Sequence, residues 1–167
     1  TDASLNYSFH PIAGSVYDSG SSTDYRMVLY NWFGSKYDGQ SYYIKNVNID
    51  SYCYNVGLFG TTAGAEIANI VLYSDNGAVI QRNTDPTPSS GTRTVRQYST
   101  SYALGGLVGI AYDYNSSMGN GSITNCAIAG YTVADNSRNK QHLGEAAIGG
   151  LVGVSSVNLN KCSAVVD

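Results

Sequence analysis

The chain has 167 residues, with twelve acidic and nine basic side chains and a formal net charge of −3. Its length suits one domain with a substantial apolar core, because about 150 residues per domain is usual. The weak negative charge excludes the clustered Lys and Arg of a typical nucleic-acid-binding surface, so we expect no nucleic-acid partner. No run of about 18 apolar residues occurs, so we expect no membrane insertion within this segment.

The composition favours β-strands over helices. Ten of the twelve acidic residues are Asp and four of the nine basic residues are Lys, so charged helix formers are scarce. The chain instead contains 15 Tyr and 19 Gly, with many Val, Ile, Thr, Asn and Ser, which favour strands and turns. Because 43% of the residues are hydrophobic, a packed core is expected. The composition therefore predicts an all-β protein.

The N-terminal segment, residues 1–31, is rich in turn-forming residues. It contains Pro11, Gly14 and a Ser-Gly-Ser-Ser run at 19–22. A stack of parallel strands needs its open end covered, since unpaired strand edges are otherwise exposed. We interpret residues 1–31 as a capping segment with one or two short strands, placed before repeats that occupy residues 32–167.

Two short motifs alternate within residues 32–167. The glycine motif reads Gly-Leu-Phe/Val-Gly, and its three copies begin and end at Gly57 and Gly60, Gly106 and Gly109, and Gly150 and Gly153. The asparagine motif places an Asn between apolar residues, and its copies are centred on Asn46, Asn69 and Asn125, with Lys161 in the Asn position of a fourth copy. A fixed order of short motifs is typical of repeat proteins.

The motifs predict a solenoid in which strands from successive repeats stack and turns absorb insertions. Gly fits where backbones approach closely, and Asn fits a left-handed turn residue or a ladder of stacked side chains. The glycine motifs begin 49 and 44 residues apart, which the turns must accommodate. The expected core residues are Ile44, Val47, Ile49, Leu58, Ile67, Ile70, Leu72, Leu107, Val108, Ile123, Ile128, Leu151 and Val152.

Aromatic residues crowd the first third of the chain. Tyr and Trp supply large contact areas at low entropic cost and stack on flat faces of ligands. One interpretation is a glycan-binding platform, and the other is packing on the outer faces and between the stacked strands. The candidates for the platform are Trp32, Tyr37, Tyr42, Tyr43 and Tyr52.

The segment 81–101 interrupts the repeats. It contains two prolines and is predicted to be an inserted outer loop, a place where functional residues often lie. Its three arginines, Arg82, Arg93 and Arg96, are either solvated residues of a tolerated insertion or a contact for an anionic glycan or another partner.

Cys126 and Cys162 hold the same place in their repeats. Stacking would bring them close together, so we expect a buried ladder of small apolar thiols, with a disulfide between the repeats as the alternative. The three cysteines of the chain form no Cys-x-x-Cys pair, and we expect no metal site.

The chain offers little catalytic chemistry. Only His10 and His142 titrate near neutral pH without strong perturbation, and no Gly-x-Ser-x-Gly elbow is present. The acidic residues are scattered, whereas glycoside hydrolysis needs a pair of carboxylates. We expect no catalytic residues and no cofactor, and a β-helix enzyme acting on carbohydrates is the alternative, because stacking can bring distant residues together.

The motifs resemble the GLUG-type repeats of bacterial surface proteins. The match rests on the glycine motif, on Ile-x-Asn-Cys, and on an entry phrase at 37–47 that reads aromatic-Asp-Gly-x-x-Tyr-x-Ile-x-Asn-Val. It covers roughly residues 32–167 and departs from the pattern at Lys161, in 81–101 and over 1–26. The resemblance implies a right-handed parallel β-helix, here of about 4–5 coils, within extracellular, often adhesin-like proteins that share no catalytic chemistry.

These observations predict a structural or adhesive module at the cell surface or in a filament. A glycan-binding module is the alternative, and the partner would be a surface glycan or a host protein. Residues 161–167 are strand-like and carry no cap, so the repeats either continue in a longer chain or stack end to end on another copy.

Overall fold

The computed structural model of the protein describes residues 9, 11–13, 32–51, 55–82, 102–113, 120–136 and 146–167. All regular secondary structure within these ranges is β, so they contain no helix that could cross a membrane. The prediction of an all-β protein is confirmed. The strands are β1 (Lys36–Asp38), β2 (Tyr43–Lys45), β3 (Ile49–Ser51), β4 (Asn55–Val56), β5 (Phe59–Ala63), β6 (Glu66–Ala68), β7 (Val71–Tyr73), β8 (Val79–Arg82), β9 (Tyr102–Gly105), β10 (Val108–Tyr112), β11 (Ser122–Thr124), β12 (Ala127–Asp135), β13 (Ala146–Gly149), β14 (Val152–Ser155), β15 (Asn158–Asn160) and β16 (Ser163–Val166).

The strands form four sheets, and the pairs within the described residues are parallel. Sheet I has the order β1-β6-β11-β15, sheet III the order β4-β9-β13, and sheet IV the order β5-β10-β14. Sheet II has the order β2-β7-β12-β8-β3, and β16 also pairs with β12. The first part of β12 pairs with β7 and β16, and its second part pairs with β8. One long strand therefore joins both halves of sheet II.

The chain visits the sheets in one repeated order, from I through II and III to IV. Strands β1 to β5 form the first circuit, β6 to β10 the second and β11 to β14 the third, and β15 and β16 begin a fourth. Phe59 of β5 pairs with Val108 of β10, which pairs in turn with Val152 of β14. The three glycine motifs therefore lie side by side in neighbouring strands, although 49 and 44 residues separate their starts.

The buried apolar side chains of the described residues form one cluster, to which all four sheets contribute. Ten of the thirteen predicted core residues are buried, and Ile44, Val47 and Val152 are half-buried and pack against the cluster. The sequence reasoning missed Phe59, which lies within the first glycine motif, and Tyr131, although both are fully buried.

The glycine motifs are required by the close approach of neighbouring backbones. A Cβ atom on Gly109 would lie 2.6 Å from the carbonyl oxygen of Gly60 and 2.8 Å from the amide nitrogen of Val56. A Cβ atom on Gly153 would meet the backbone of Gly109 and Leu104 at 2.8 Å. Backbone atoms at such distances leave no room for a side chain, so glycine packs one sheet against the next.

The asparagine motif combines both roles that the sequence predicted. Asn69, Asn125 and Lys161 each follow a strand of sheet I, and their φ angles are +56°, +52° and +52°, in the left-handed region. The Asn125 Nδ2 donates to Asn69 Oδ1 at 2.8 Å, and the Asn69 Nδ2 donates to Asp38 Oδ1 at 2.9 Å. A ladder of side-chain hydrogen bonds therefore runs along one corner of the molecule.

Asn46 is not equivalent to the other asparagines of the motif. Its φ angle is also left-handed, at +56°, but it follows β2 in sheet II, whereas Asn69 follows β6 in sheet I. Ile44 pairs with Leu72 rather than with Ile67. The prediction that the Asn46 motif is equivalent to the Asn69 motif is therefore wrong, since Asn46 follows the sheet II strand and not the sheet I strand. The two motifs look alike because similar left-handed turns follow both strands.

The described part of the predicted capping segment lies beside the first circuit. Ile12 forms a parallel bridge with Phe59, and the Phe9 amide donates to the Asn48 carbonyl oxygen at 2.8 Å. Phe33 forms a second bridge, with Thr62. Most of residues 1–31 lies outside the described ranges, so the cap stays a prediction.

Candidate functional site

The structure separates the aromatic residues that were predicted to form one platform. Tyr37 lies at a core-facing position in register with Ile67, and its ring meets Phe59 edge-on with 5.6 Å between centroids. Trp32 precedes the bridge of Phe33 to sheet IV. Only the neighbouring Tyr42 and Tyr43 are largely exposed beside sheet II, and Tyr52 lies outside the described residues.

The outer face of sheet II carries a pair of aromatic rings. Tyr43 of β2 and Tyr73 of β7 are 69% and 39% exposed, so both rings are accessible to a ligand. Their centroids are 6.4 Å apart, with an angle of 73° between the ring planes. This edge-to-face arrangement is one of the favoured geometries of aromatic pairs.

A polar cluster adjoins the two rings. Lys45 Nζ lies 2.6 Å from Asp75 Oδ2 and 5.8 Å from the centroid of the Tyr73 ring. Asn46 Nδ2 donates to Asp75 Oδ1 at 2.9 Å, and the Asp75 amide donates back to Asn46 Oδ1 at 3.1 Å. The side chains of Tyr43, Lys45, Asn46, Tyr73 and Asp75 are hereafter called the Tyr43 patch.

The cluster fixes the charge state of both its ionised groups. The hydrogen bond from Lys45, followed by that from Asn46, holds the pKa of Asp75 below its ordinary value of 3.8. The hydrogen bond to Asp75 and its negative charge hold the pKa of Lys45 above its ordinary value of 10.5. The pair is therefore ionised and electrically neutral as a whole over the physiological pH range.

On the outer face of sheet II, the strand next to Tyr73 carries small side chains. In register with Tyr43 and Val71 lies Ala127, and in register with Lys45 and Tyr73 lies Ala129. Both alanines are half-buried, so they do not rise above the sheet. The alanines thus form a narrow shelf between the Tyr43 patch and Val165 of β16, which is 71% exposed.

The sequence reasoning missed Tyr73 because it misaligned the first asparagine motif. Aligning Ile44 with Ile67 places Lys45 opposite Ala68, whereas the observed register pairs Lys45 with Tyr73. Leu72 was already an expected core residue, so the alternation of side chains along a strand was the available signal that Tyr73 points outward.

The three arginines predicted to form a partner contact do not share one environment. Arg82 is the last residue of β8 and is only 6% exposed, in register with Ser51 and Asp135. The prediction that Arg82 lies in an exposed loop is therefore wrong, because the strand continues through the position and buries the side chain. Arg93 and Arg96 lie outside the described residues.

The two repeat cysteines lie beside one another as predicted, but only Cys126 is buried, whereas Cys162 is half-buried. The Ser163 amide donates to the Cys126 carbonyl oxygen at 3.0 Å, which places Cys162 beside Cys126 in the next circuit. Both thiols are free, and each lies near a backbone carbonyl oxygen, that of Thr124 for Cys126 and that of Ile123 for Cys162, at 3.3 Å. Burial raises the pKa of the Cys126 thiol above its ordinary value of 9.0, which disfavours the reactive thiolate.

The described ranges contain no group of three or more His, Cys, Asp or Glu residues placed to hold a metal ion. His10 and His142, the candidate general bases, lie outside those ranges.

Comparisons with protein-family models, with curated proteins and with solved structures found no match for this chain.

Proposed function

We propose that this chain is a non-enzymatic β-solenoid module, a right-handed parallel β-helix with a structural or adhesive role at a cell surface. The observation that carries the proposal is the fixed order in which the chain visits its sheets, circuit after circuit, with parallel and in-register pairing. In such a stack each circuit contacts only its neighbours, and the turns and outer faces are left to meet a partner.

The solenoid is tested by nuclear Overhauser effects between residues far apart in sequence. Backbone contacts should join Val108 to both Phe59 and Val152, and Ile123 to both Ile67 and Leu159. These contacts require that strands from three successive circuits lie side by side in one sheet and pair in parallel. Their absence in a well-folded sample, or an antiparallel pattern, would overturn the solenoid.

A second candidate function is glycan binding at the Tyr43 patch. Two exposed aromatic rings beside hydrogen-bonding side chains provide stacking surfaces for the faces of sugar rings and partners for their hydroxyl groups. Because Lys45 and Asp75 neutralise one another, the patch suits an uncharged glycan better than an anionic one.

Tyr43→Ala and Tyr73→Ala should each weaken binding to the glycan that the unaltered chain binds on a glycan array. The expected loss is about tenfold, because a well-placed aromatic contact contributes more than about 1 kcal/mol. Tyr112→Ala is the matched control, since Tyr112 is a similarly exposed tyrosine on β10 of sheet IV. Equal losses for all three variants, or retained binding in the first two, would exclude the Tyr43 patch as the site.

A further inference from the structure

The end of the molecule formed by β13 to β16 presents core-facing apolar residues to solvent. Leu159 is in register with Ile123, and Ile148 is in register with Leu104. Ile123 and Leu104 are buried, whereas Leu159 and Ile148 are 45% and 53% exposed. Among the described residues no strand pairs with the outer edges of β13, β14 and β15. This end therefore combines unpaired strand edges with apolar side chains, which together favour addition of another strand layer.

At the opposite end of the molecule the outermost strands also stop at different points of the circuit, in a pattern that complements the β13–β16 end. Among the described residues β1 and β2 are the outermost strands of sheet I and of one half of sheet II, while Ile12 and Phe33 already lie beside β5 in sheet IV. The β13–β16 end, in turn, extends to a fourth circuit only in sheets I and II. Among the described residues, the two ends therefore differ by the same step around the circuit. Stacking would place Ile12 and Phe33 of one copy beside β14 of the other, so the described residues of the predicted cap would then bridge two copies rather than close the stack.

The side-chain ladder at the corner of sheet I carries opposite charges at its two ends. It begins with Asp38, which accepts from Asn69, and continues through Asn125 to Lys161 at the same turn position. Lys161 departs from the asparagine repeat at the exposed end of the ladder. Within the chain each asparagine of the ladder donates to the preceding circuit, whereas the ammonium group of Lys161 can only donate, so an added layer must present an acceptor to it.

We propose that a second copy of this chain stacks head to tail on the β13–β16 end. In the stack β1 and β2 of one copy extend sheets I and II beyond β15 and β16 of the other, at the strand spacing of about 4.8 Å. In this register Asp38 of one copy lies opposite Asn160 of the other, one residue from Lys161, so Lys161 can donate to Asp38 across the contact. Leu159 is covered by Tyr37, which occupies the same core-facing column. The contact is heterologous and does not close on itself, so it generates filaments.

The inference rests on the proposed solenoid and is tested by sedimentation velocity over a wide range of protein concentration. The unaltered chain should form assemblies that grow with concentration. Lys161→Glu should raise the dissociation constant about tenfold or more, because it places two carboxylates together at the contact. Asp38→Lys should do the same by opposing two ammonium groups.

Mixing the two charge-reversal variants tests whether Lys161 and Asp38 meet at the contact. Each variant carries an end that complements an end of the other, so an equimolar mixture should recover assembly and form alternating filaments. Asp113→Lys is the matched control, since Asp113 is also exposed and accepts a backbone hydrogen bond, from Gly121, but lies away from both ends. The control should assemble as the unaltered chain does.

Two results would overturn the stacking. One is an unaltered chain that stays monomeric at every concentration, and the other is assembly that is insensitive to both reversals or not recovered by mixing. Far-ultraviolet circular dichroism on each variant confirms that it is folded before its assembly is interpreted. The nuclear Overhauser contacts are measured on the dilute monomer, so failure of the solenoid is distinguishable from failure of the stacking.

Discussion

Glycine is needed for two different reasons in this chain. At Gly109 there is no room for a side chain, and at Gly77 the backbone is left-handed. Gly109 lies in β10, and a Cβ atom there would meet backbone atoms of Gly60 and Val56. Gly77 has a φ of +70°, and a Cβ atom there would meet nothing within 4 Å. The first position excludes every side chain, whereas the second excludes only residues that avoid the left-handed region.

Gly109→Ala should therefore lower the free energy of unfolding by about 1–3 kcal/mol, because the added methyl forces neighbouring backbones apart. Gly77→Asn is the control, and it should be nearly neutral since Asn tolerates the left-handed region. Both are measured by urea unfolding. A Gly109→Ala chain as stable as the original would show that sheets III and IV can separate without cost.

At the scale of the element, β12 ties together parts of the chain that are distant in sequence. It pairs with strands of both halves of sheet II, and Tyr131 lies where its partners change. The fully buried Tyr131 accepts a hydrogen bond from the Val47 amide at 3.2 Å, which joins β12 to the turn between β2 and β3. A tyrosine thus satisfies a backbone donor inside the core.

Tyr131→Phe should lower the free energy of unfolding by about 1–3 kcal/mol, because the Val47 amide loses its acceptor. Tyr112→Phe, at an exposed tyrosine, should leave stability unchanged. Denaturant unfolding at neutral pH measures both variants. Equal stability of Tyr131→Phe and the original chain would mean that water or a rearranged turn replaces the hydroxyl group.

The same tyrosine makes stability depend on alkaline pH. Burial raises the pKa of Tyr131 above its ordinary value of 10.0, so the folded chain keeps the phenol protonated to higher pH than the unfolded chain does. The free energy of unfolding should therefore be unaffected by this group below about pH 10 and should fall as the pH rises through the raised value. Tyr131→Phe should show a smaller alkaline decline than the original chain.

At the scale of the whole molecule, the place of a residue along the stack decides its contribution to stability. Tyr37, Ile67, Ile123 and Leu159 occupy one column of sheet I and share one orientation. The inner members are 1% exposed, and the outer ones are partly open to solvent. Residues with the same place in the strand pattern therefore differ in burial according to their position in the column.

Ile123→Ala should destabilise the monomer by about 2–5 kcal/mol, the usual cost of emptying a buried aliphatic site. Leu159→Ala should cost the dilute monomer less than about 1 kcal/mol, because nearly half of its side chain is already in water. Thermal and urea unfolding at low protein concentration test the contrast. Equal costs at the two sites would indicate that Leu159 is covered in the monomer.

The all-β class, the stacking of the glycine motifs and the identity of most core residues were determined by the sequence alone. Strand-forming residues, regularly placed glycines and left-handed asparagines each reflect a local backbone requirement, and local requirements can be read without knowing the partner strand. The ten buried residues predicted from the motifs follow from the same alternation.

Only the tertiary structure decided which residues face one another across the sheets. Asn46 and Asn69 satisfy the same left-handed turn at two different corners, so their local sequences do not reveal the register of β2 with β7. The meeting of Tyr43 and Lys45 with Tyr73 depends on that register. The burial of Arg82 depends on the extent of β8, which continues to this residue. Register is a property of two strands together, which is why the sequence of either strand alone leaves it open.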